Sequence, residues 1–186
     1  MTHNMQKGDA SLEPDSIENG RLLSDEWPSD NGALIDITIV AASWDTRLID
    51  DLKARGPAML DHIAARLSID PQRVSLLLCD DEDMCAMNKI YRGVDKATNV
   101  LSFPSDDDLR LAGDMPADEV TIGDIAIAAE TVMREASETG IAAGDHLLHL
   151  FTHGMLHLLG YDHEEDSPAA EMEGLEIDLL AQMNIS

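Results

Sequence analysis

Hydrophobic and polar positions divide the chain into segments with the period of strands and segments with the period of helices. In ALIDITIV (33–40), Ile35, Ile37 and Ile39 fall on one face, which is the two-residue period of a half-buried strand. Short apolar runs at 73–80, 99–103 and 121–130 predict three further strands. Four strands mixed with four or five helices predict an α+β domain.

The helical segments are recognised by their capping residues and by glycines after their last turn. Asp80 or Asp81 is placed to cap a helix that runs through EDMCAMNKIYR. Gly140 and Gly160 each follow a segment of helical period, where glycine favours the left-handed backbone that ends a helix. The predicted helices span about 45–67 with a break or reset at RGP (55–57), 82–92, a segment that ends at Gly140, 142–159, and a last segment from after Pro168 to about Met183.

The first part of the chain lacks the apolar periodicity of the rest. Residues 1–32 are rich in Asp, Glu, Ser, Asn and Gly and contain no apolar core of a secretion signal. We therefore expect a disordered polar tail over 1–32 and a single domain over 33–186. No segment of the sequence approaches the roughly 18 uninterrupted apolar residues of a membrane span. The sequence thus predicts a cytoplasmic protein with no membrane partner.

Charge and cysteine content narrow the classes of partner and site. The net charge of −25 predicts repulsion from nucleic acid, except near Lys89, Arg92 and Lys96, which lie within eight residues of one another. A polyanion could therefore bind only where this cluster and a metal ion outweigh the repulsion. Cys79 and Cys85 form no CxxC pair, so neither a disulfide framework nor a cysteine zinc site is predicted.

Histidines concentrate in HGMLHLLGYDH, which spans residues 153–163. His153 and His157 are four apart on a predicted helix, so their imidazoles can chelate one ion. Gly160 lets the chain reverse, and His163 can then supply a third ligand. A lone histidine would be better explained as part of a polar helix face, but three with this spacing predict a metal site. His146 and His149 lie on the same face of this predicted helix and are expected to be exposed or to support the ligands.

Three neutral imidazoles would leave a divalent ion its full charge and one open coordination position. That is the arrangement of a catalytic site, where zinc lowers the pKa of its bound water to about 7 and polarises carbonyl or phosphoryl oxygens. The predicted cofactor is one divalent ion per chain, Zn²⁺ first, with Ni²⁺ as the alternative.

Gly154 separates this motif from that of a protease. The spacing HxxxHxxGxxH is similar to the metzincin motif HExxHxxGxxH, but glycine replaces the glutamate that serves those enzymes as general base. Peptide hydrolysis is therefore the second hypothesis. The glycine has two interpretations: it leaves space beside the ion for a bulkier group such as a phosphodiester, or it permits close helix packing.

The motif resembles the HGxLHLxGYDH signature of the YbeY family, bacterial metal-dependent endoribonucleases of ribosomal RNA maturation. MNKIYRGVDKATNVLSFP (87–104), IGDIAI (122–127) and EMEGLEIDLL (171–180) are similar to other segments of that family and occur in the same order. The resemblance implies an α+β fold with a mixed four-stranded sheet packed by helices. It also implies cleavage of single-stranded RNA, with maturation of the 3′ end of 16S ribosomal RNA and ribosome quality control as the setting.

When the functional residues of the family are transferred by position, the resemblance implies that the metal ligands are His153, His157 and His163. It also implies that Arg92 is a catalytic residue. Arg92 can form two parallel hydrogen bonds to a phosphate, although an arginine ending a helix also stabilises the helix dipole. Asn99 stands where the commoner pattern of the family has Asp.

The remaining candidates are predicted to bind substrate or to orient a ligand. Lys89 and Lys96 would attract RNA electrostatically, and Ser102 and Phe103 would form an edge of the cleft. Phe103 can stack on a base, although a phenylalanine of the core is the competing interpretation. Asp162 can orient an imidazole or accept a proton from water, or it can simply cap the turn. The acidic residues after 163 are expected to form a solvated face.

Three functions remain open at this point. The leading one is a metal-dependent endoribonuclease, with ribosomal RNA and ribosomal proteins as partners. The second is a metalloprotease-like hydrolase with a base at another position. The third is a ribosome-associated binding module whose metal is structural.

Overall fold

The computed structural model describes residues 23–105, 121–161 and 166–185. In this part of the chain five strands and five helices form an α+β fold. The strands are β1 (Leu23–Pro28), β2 (Leu34–Ile39), β3 (Arg73–Cys79), β4 (Val100–Pro104) and β5 (Gly123–Ala128). The helices are α1 (Thr46–Leu67), α2 (Asp81–Arg92), α3 (Ala129–Thr139), α4 (Ala143–Leu158) and α5 (Asp166–Gln182).

The strands form one mixed sheet in the order β1-β2-β3-β5-β4. The three central strands run parallel to one another, and each edge strand is antiparallel to its neighbour. The predicted α+β class and mixed sheet are confirmed, but the predicted number of four strands was wrong. β4 is one edge of the sheet, and β1 is the other.

The fifth strand, β1, comes from a segment that was assigned to the polar tail. Its Trp27 is buried, and its Asp25 is partly exposed. The Asp25 carboxylate accepts hydrogen bonds from Lys53 Nζ at 2.8 Å and from Trp27 Nε1 at 3.0 Å. Polar residues occupy half of β1, because it is an edge strand with little surface to bury. The composition of the segment therefore resembled that of a tail. Residues 1–22 of the predicted tail lie outside the described residues.

Helices cover the two faces of the sheet unequally. The side chains of Ile125 and Ile127 on β5 belong to the large core that α1, α4 and α5 share. The alternate residues Ala126 and Ala128 belong to a smaller core with Met84 of α2. Because side chains of a strand alternate between faces, α2 and α4 lie on opposite sides of β5.

Helix α1 runs without a break through RGP, so the predicted interruption at 55–57 was wrong. A proline inside a helix removes one backbone hydrogen bond. Here Gly56 and Pro57 are buried, and a Cβ at Gly56 would lie 3.1 Å from Ile35 Cδ1. Packing on the sheet therefore outweighs the local preference of the two residues.

The predicted cap of α2 is present, and the predicted start of α5 is close to the observed one. Asp80 caps α2, because its Oδ1 accepts a hydrogen bond of 2.8 Å from the backbone N–H of Asp83. α5 begins at Asp166, slightly before the predicted start, so Pro168 lies in its first turn, where a missing N–H costs nothing. Within the described ranges, no helix is both long and apolar enough to cross a membrane.

Candidate metal centre

Helix α4 brings two imidazoles together at its C-terminal end. The Nε2 atoms of His153 and His157 are 3.0 Å apart, and the two ring planes are nearly perpendicular. This follows from their spacing of four residues, which places both side chains on one helix face. The chelate geometry predicted from the sequence is therefore present for this pair.

The opposite nitrogen of each ring is held by an acceptor. His153 Nδ1 lies 2.8 Å from Glu176 Oε1, and His157 Nδ1 lies 3.1 Å from the backbone oxygen of Tyr161. A carbonyl or carboxylate oxygen accepts hydrogen bonds, so each Nδ1 carries the proton. In that tautomer both Nε2 atoms carry lone pairs that lie close enough together to bind one cation. The donor set therefore fits a bound metal ion.

Glu176 supports both His149 and His153 from α5. Its side chain is buried, and its Oε1 lies 3.5 Å from His149 Nε2 as well as close to His153. Burial alone would raise the pKa of Glu176, but the hydrogen bonds from His149 and His153 outweigh it and lower the pKa to about 2. The expectation of a solvated acidic face was wrong for this residue. It is instead a buried carboxylate that fixes the orientation of the His153 imidazole.

The third predicted ligand lies beyond the described residues. His163 and Asp162 fall in the gap between 161 and 166. Within the described residues, no group of three or more His, Cys, Asp or Glu side chains forms a metal site, so the HxxxHxxGxxH site is present only as its first two histidines. The predicted turn after α4 is present, because Gly160 has φ +89° and Tyr161 N–H donates to Leu156 O at 3.0 Å.

Gly154 faces the sheet rather than the metal side of α4. A Cβ at this position would lie 3.1 Å from Ile125 Cδ1, Ile125 Cγ2 and Ser102 Oγ. Glycine therefore permits the close packing of α4 on β4 and β5, and the interpretation that it leaves room for a substrate was wrong. The same position would bury a glutamate in the core, so this helix cannot provide the general base of a metzincin at residue 154.

A second polar group links α3 to the N-terminal half of α4. Glu135 Oε2 accepts from Asn99 Nδ2 at 3.0 Å and lies 2.9 Å from His146 Nε2. Asn99 Oδ1 also accepts from the backbone N–H of Val100 at 2.8 Å. His146 thus has a carboxylate partner, as His149 and His153 do. Glu135 and Glu176 were not singled out in the sequence; only the similarity of EMEGLE to a family segment marked the neighbourhood of Glu176.

The other predicted site residues lie on two sides of the edge strand β4. Ser102 Oγ donates a hydrogen bond of 3.3 Å to Gly154 O, which places Ser102 against α4. Phe103 packs on the opposite face, where its ring centroid lies 4.6 Å from that of the exposed Tyr91. Arg92 ends α2 on that side and is exposed.

The two lysines flank the same end of α2. Lys89 Nζ forms an exposed ion pair of 2.7 Å with Asp95, while Lys96 is exposed and its backbone oxygen accepts from Asn88 Nδ2 at 2.7 Å. The basic cluster predicted from the sequence is therefore one surface patch, separated from the histidines by the edge of the sheet.

Comparison with known proteins decides the family. The family model described as Endoribonuclease YbeY matches residues 41–184 of this chain. The chain belongs to the YbeY endoribonuclease family. The predicted resemblance to YbeY proteins is confirmed, and with it the class of enzyme, an endoribonuclease that hydrolyses RNA phosphodiester bonds.

Individual YbeY relatives cover much of the chain. The YbeY endoribonuclease of Rhodospirillum rubrum is 52% identical over 118 residues, which make up 62% of this chain and 58% of that protein. That of Dinoroseobacter shibae is 40% identical over 166 residues, 83% of this chain and 89% of that protein. The solution structure of TM1509 from Thermotoga maritima matches with a TM-score of 0.53 at 26% identity, covering 78% of this chain and 86% of that one.

Proposed function

We propose that this chain is a metal-dependent endoribonuclease that cleaves single-stranded RNA, with ribosomal RNA, in particular the 3′ end of 16S ribosomal RNA, as its substrate. Ribosome quality control and contacts with ribosomal proteins belong to the same proposal. The observation that carries it is the pair of Nε2 atoms 3.0 Å apart on α4, in a chain of the YbeY endoribonuclease family.

The proposed ligands are His153, His157 and His163, and the proposed ion is Zn²⁺, with Ni²⁺ as the alternative. Two nitrogens bound to one tetrahedral zinc at about 2.0–2.1 Å would be separated by roughly 3.3 Å. The distance of 3.0 Å between the two described Nε2 atoms is close to this value. When bound, such an ion supplies a Lewis acid for a phosphoryl oxygen and lowers the pKa of a water to about 7.

The residues around the two histidines hold the ligands in their reactive orientation. Glu176 accepts the Nδ1 proton of His153, and the Tyr161 carbonyl accepts that of His157, so both Nε2 lone pairs point to the same place. Preset ligands lose little freedom when the ion binds. The aspartate at 162 remains a proposed partner for an imidazole or a water proton.

Arg92 is proposed to stabilise negative charge on the phosphate, with Lys89 and Lys96 attracting the RNA backbone. These residues and the histidines lie on opposite sides of β4, which is an edge of the sheet. We infer that a single strand passes over this edge, with Ser102 and Phe103 of β4 beneath it. A protein with a net charge of −25 needs such a local path, because most of its remaining surface repels RNA.

The test is metal analysis followed by cleavage of a single-stranded RNA by wild type, His157→Ala and Arg92→Ala. His62→Ala, which removes a histidine from α1, is the matched control. We expect wild type to bind about one equivalent of metal per chain, and His157→Ala to lose both that metal and at least a hundredfold in cleavage rate. Arg92→Ala should keep the metal and lose cleavage, and the control should keep both.

Three results would refute this function. Cleavage that persists in His157→Ala would identify a contaminating nuclease. Digestion of casein with RNA left intact would favour a metalloprotease-like hydrolase. A wild type that cleaves nothing with any divalent metal, together with unfolding of His153→Ala, would favour a binding module whose metal is structural.

A further inference from the structure

A cavity of about 330 Å³ lies beside His153. His153 and Glu176 form part of its lining, together with His146 and His149 of α4. Its apolar wall consists of Val100, Leu150 and Met172, of which Leu150 and Met172 are buried residues of the core. We call it the cavity beside His153.

The size and wall of this cavity suit one planar heterocycle. Binding sites for small molecules have volumes of roughly 300–1,000 Å³, and they combine apolar walls with a few polar groups. The cavity beside His153 is at the lower end of this range, which is enough for one base and its sugar but too little for two stacked nucleotides. Single-stranded RNA presents unstacked bases, which proteins recognise by their edges in such pockets.

The polar rim favours a neutral group that donates hydrogen bonds. The described polar residues that line the cavity are Asn99, three histidines and two glutamates, with no lysine or arginine. The histidines are engaged with Glu135 and Glu176, so a phosphate inside the cavity would face carboxylates without a basic side chain to pair with. Glu176 is already engaged with His149 and His153. Glu173 lies three residues earlier on α5, is exposed to solvent, and lines the same cavity. Its carboxylate can accept two parallel N–H bonds from a ligand.

A side-chain amide also faces the same space. Asn99 lines the cavity, and its amide carries two N–H groups, of which one is directed to Glu135 at 3.0 Å. The second can donate to a ring carbonyl. Among the four RNA bases, guanine alone has two adjacent donors, N1–H and N2–H, beside a carbonyl oxygen at O6. Adenine and cytosine offer one amino group each, and uracil offers one ring N–H.

We propose that the cavity beside His153 is a base-specific subsite that takes a guanine next to the scissile phosphate, with Glu173 accepting from N1–H and N2–H and Asn99 donating to O6. The assignment rests on the proposed function, because the phosphate held at the histidines is what places the neighbouring base at the cavity. Charge-assisted bonds to a carboxylate are about twice as strong as neutral ones, so Glu173 carries most of the selection.

The test compares the four nucleoside 5′-monophosphates as probes, by titration calorimetry with the full-length, zinc-loaded protein. The phosphate is common to all four, so differences in affinity report the base. We expect GMP to bind at least tenfold more tightly than AMP, CMP or UMP, since one additional charge-assisted hydrogen bond corresponds to about that factor. Glu173→Gln should abolish this preference. Glu171→Gln, an exposed glutamate on the same helix that does not line the cavity, should preserve it.

Cleavage of single-stranded RNA is measured in the same preparations, so that the two proposals fail separately. Equal affinities for the four nucleotides, or a guanine preference that survives Glu173→Gln, overturns the subsite even if RNA is cleaved. A guanine preference that depends on Glu173, in a protein that leaves RNA intact, supports the subsite and overturns the nuclease function. Thermal unfolding of both variants at the wild-type temperature verifies that each has folded.

Discussion

Replacing Gly154 by alanine tests whether the glycine of the histidine motif serves packing. The new Cβ would lie 3.1 Å from three heavy atoms, two of Ile125 and the hydroxyl oxygen of Ser102, where ordinary contacts begin at about 3.4 Å. Ile125 is fully buried in β5, so its side chain can yield only by displacing other residues of the core. Ser102 can rotate only by giving up its hydrogen bond to Gly154 O. The strain of such overpacking is about 1–3 kcal/mol.

Helix propensity acts in the opposite direction and has to be separated from this strain. Alanine is favoured over glycine inside a helix by about 1 kcal/mol. Gly174, in the interior of α5, provides the matched control, because nothing lies within 4 Å of the Cβ it would gain. Gly174→Ala should therefore raise the free energy of unfolding by about 1 kcal/mol. Gly154→Ala should lower it by about 1 kcal/mol, the strain less the propensity gain.

The assay is urea unfolding followed by the fluorescence of the two buried tryptophans, Trp27 and Trp44. The difference between the two variants, about 2 kcal/mol, is independent of helix propensity because both change glycine to alanine in a helix. For a chain of this length it corresponds to roughly 4–8 °C in Tm. If Gly154→Ala stabilises the protein as much as Gly174→Ala does, α4 has room to move away from the sheet, and the packing role of Gly154 is refuted.

Three further predictions concern single ionisable groups. Glu176→Gln should weaken zinc binding by about 10- to 100-fold, measured by competition with a chelator, because it removes the charge that orients a ligand imidazole; an unchanged affinity would contradict that role. Burial raises the pKa of Cys79 to about 12, so a thiol reagent at pH 8 should label only Cys85 in the folded protein and both cysteines in denaturant. Rapid labelling of both in the native state would be incompatible with this packing. Hydrogen bonds from Lys53 and from the indole of Trp27 lower the pKa of the Asp25 carboxyl below the ordinary 3.8. The ionised carboxylate therefore stabilises the fold above pH 3.8, and this stabilisation is lost as the pH falls through the lowered pKa. Unfolding measured from about pH 5 to pH 2 should therefore show a smaller acid loss in Asp25→Asn, and identical losses would argue against this ion pair.

Features governed by local spacing could be predicted from the sequence. The pairing of His153 with His157 needs only the helical period, and the cap at Asp80 and the turn at Gly160 need only their own residue types. The orientation of Gly154 also follows from that period, because it is rotated by about 100° from His153 toward the apolar side of α4.

Features that depend on distant parts of the chain could not be predicted in this way. Glu176 contacts His153 across 23 residues, and the nearest acidic residues on α5, Glu173 and Asp178, are exposed. β1 has few apolar residues, and its strand conformation depends on pairing with β2. Pro57 remains helical because the sheet holds α1 in place. In each case tertiary packing outweighs the local preference of the segment.

The contact of Glu176 with two histidines couples the stability of α5 to the proposed metal site. α5 carries this carboxylate, and the imidazoles it holds belong to α4. Thermodynamic coupling is reciprocal, so any ion that binds better when His153 is held by Glu176 must tighten the docking of α5 by the same free energy. Removal of the ion should then increase hydrogen exchange in α5 before it does so in the sheet. The local stability of α5 should therefore depend on whether an ion is bound at the histidines.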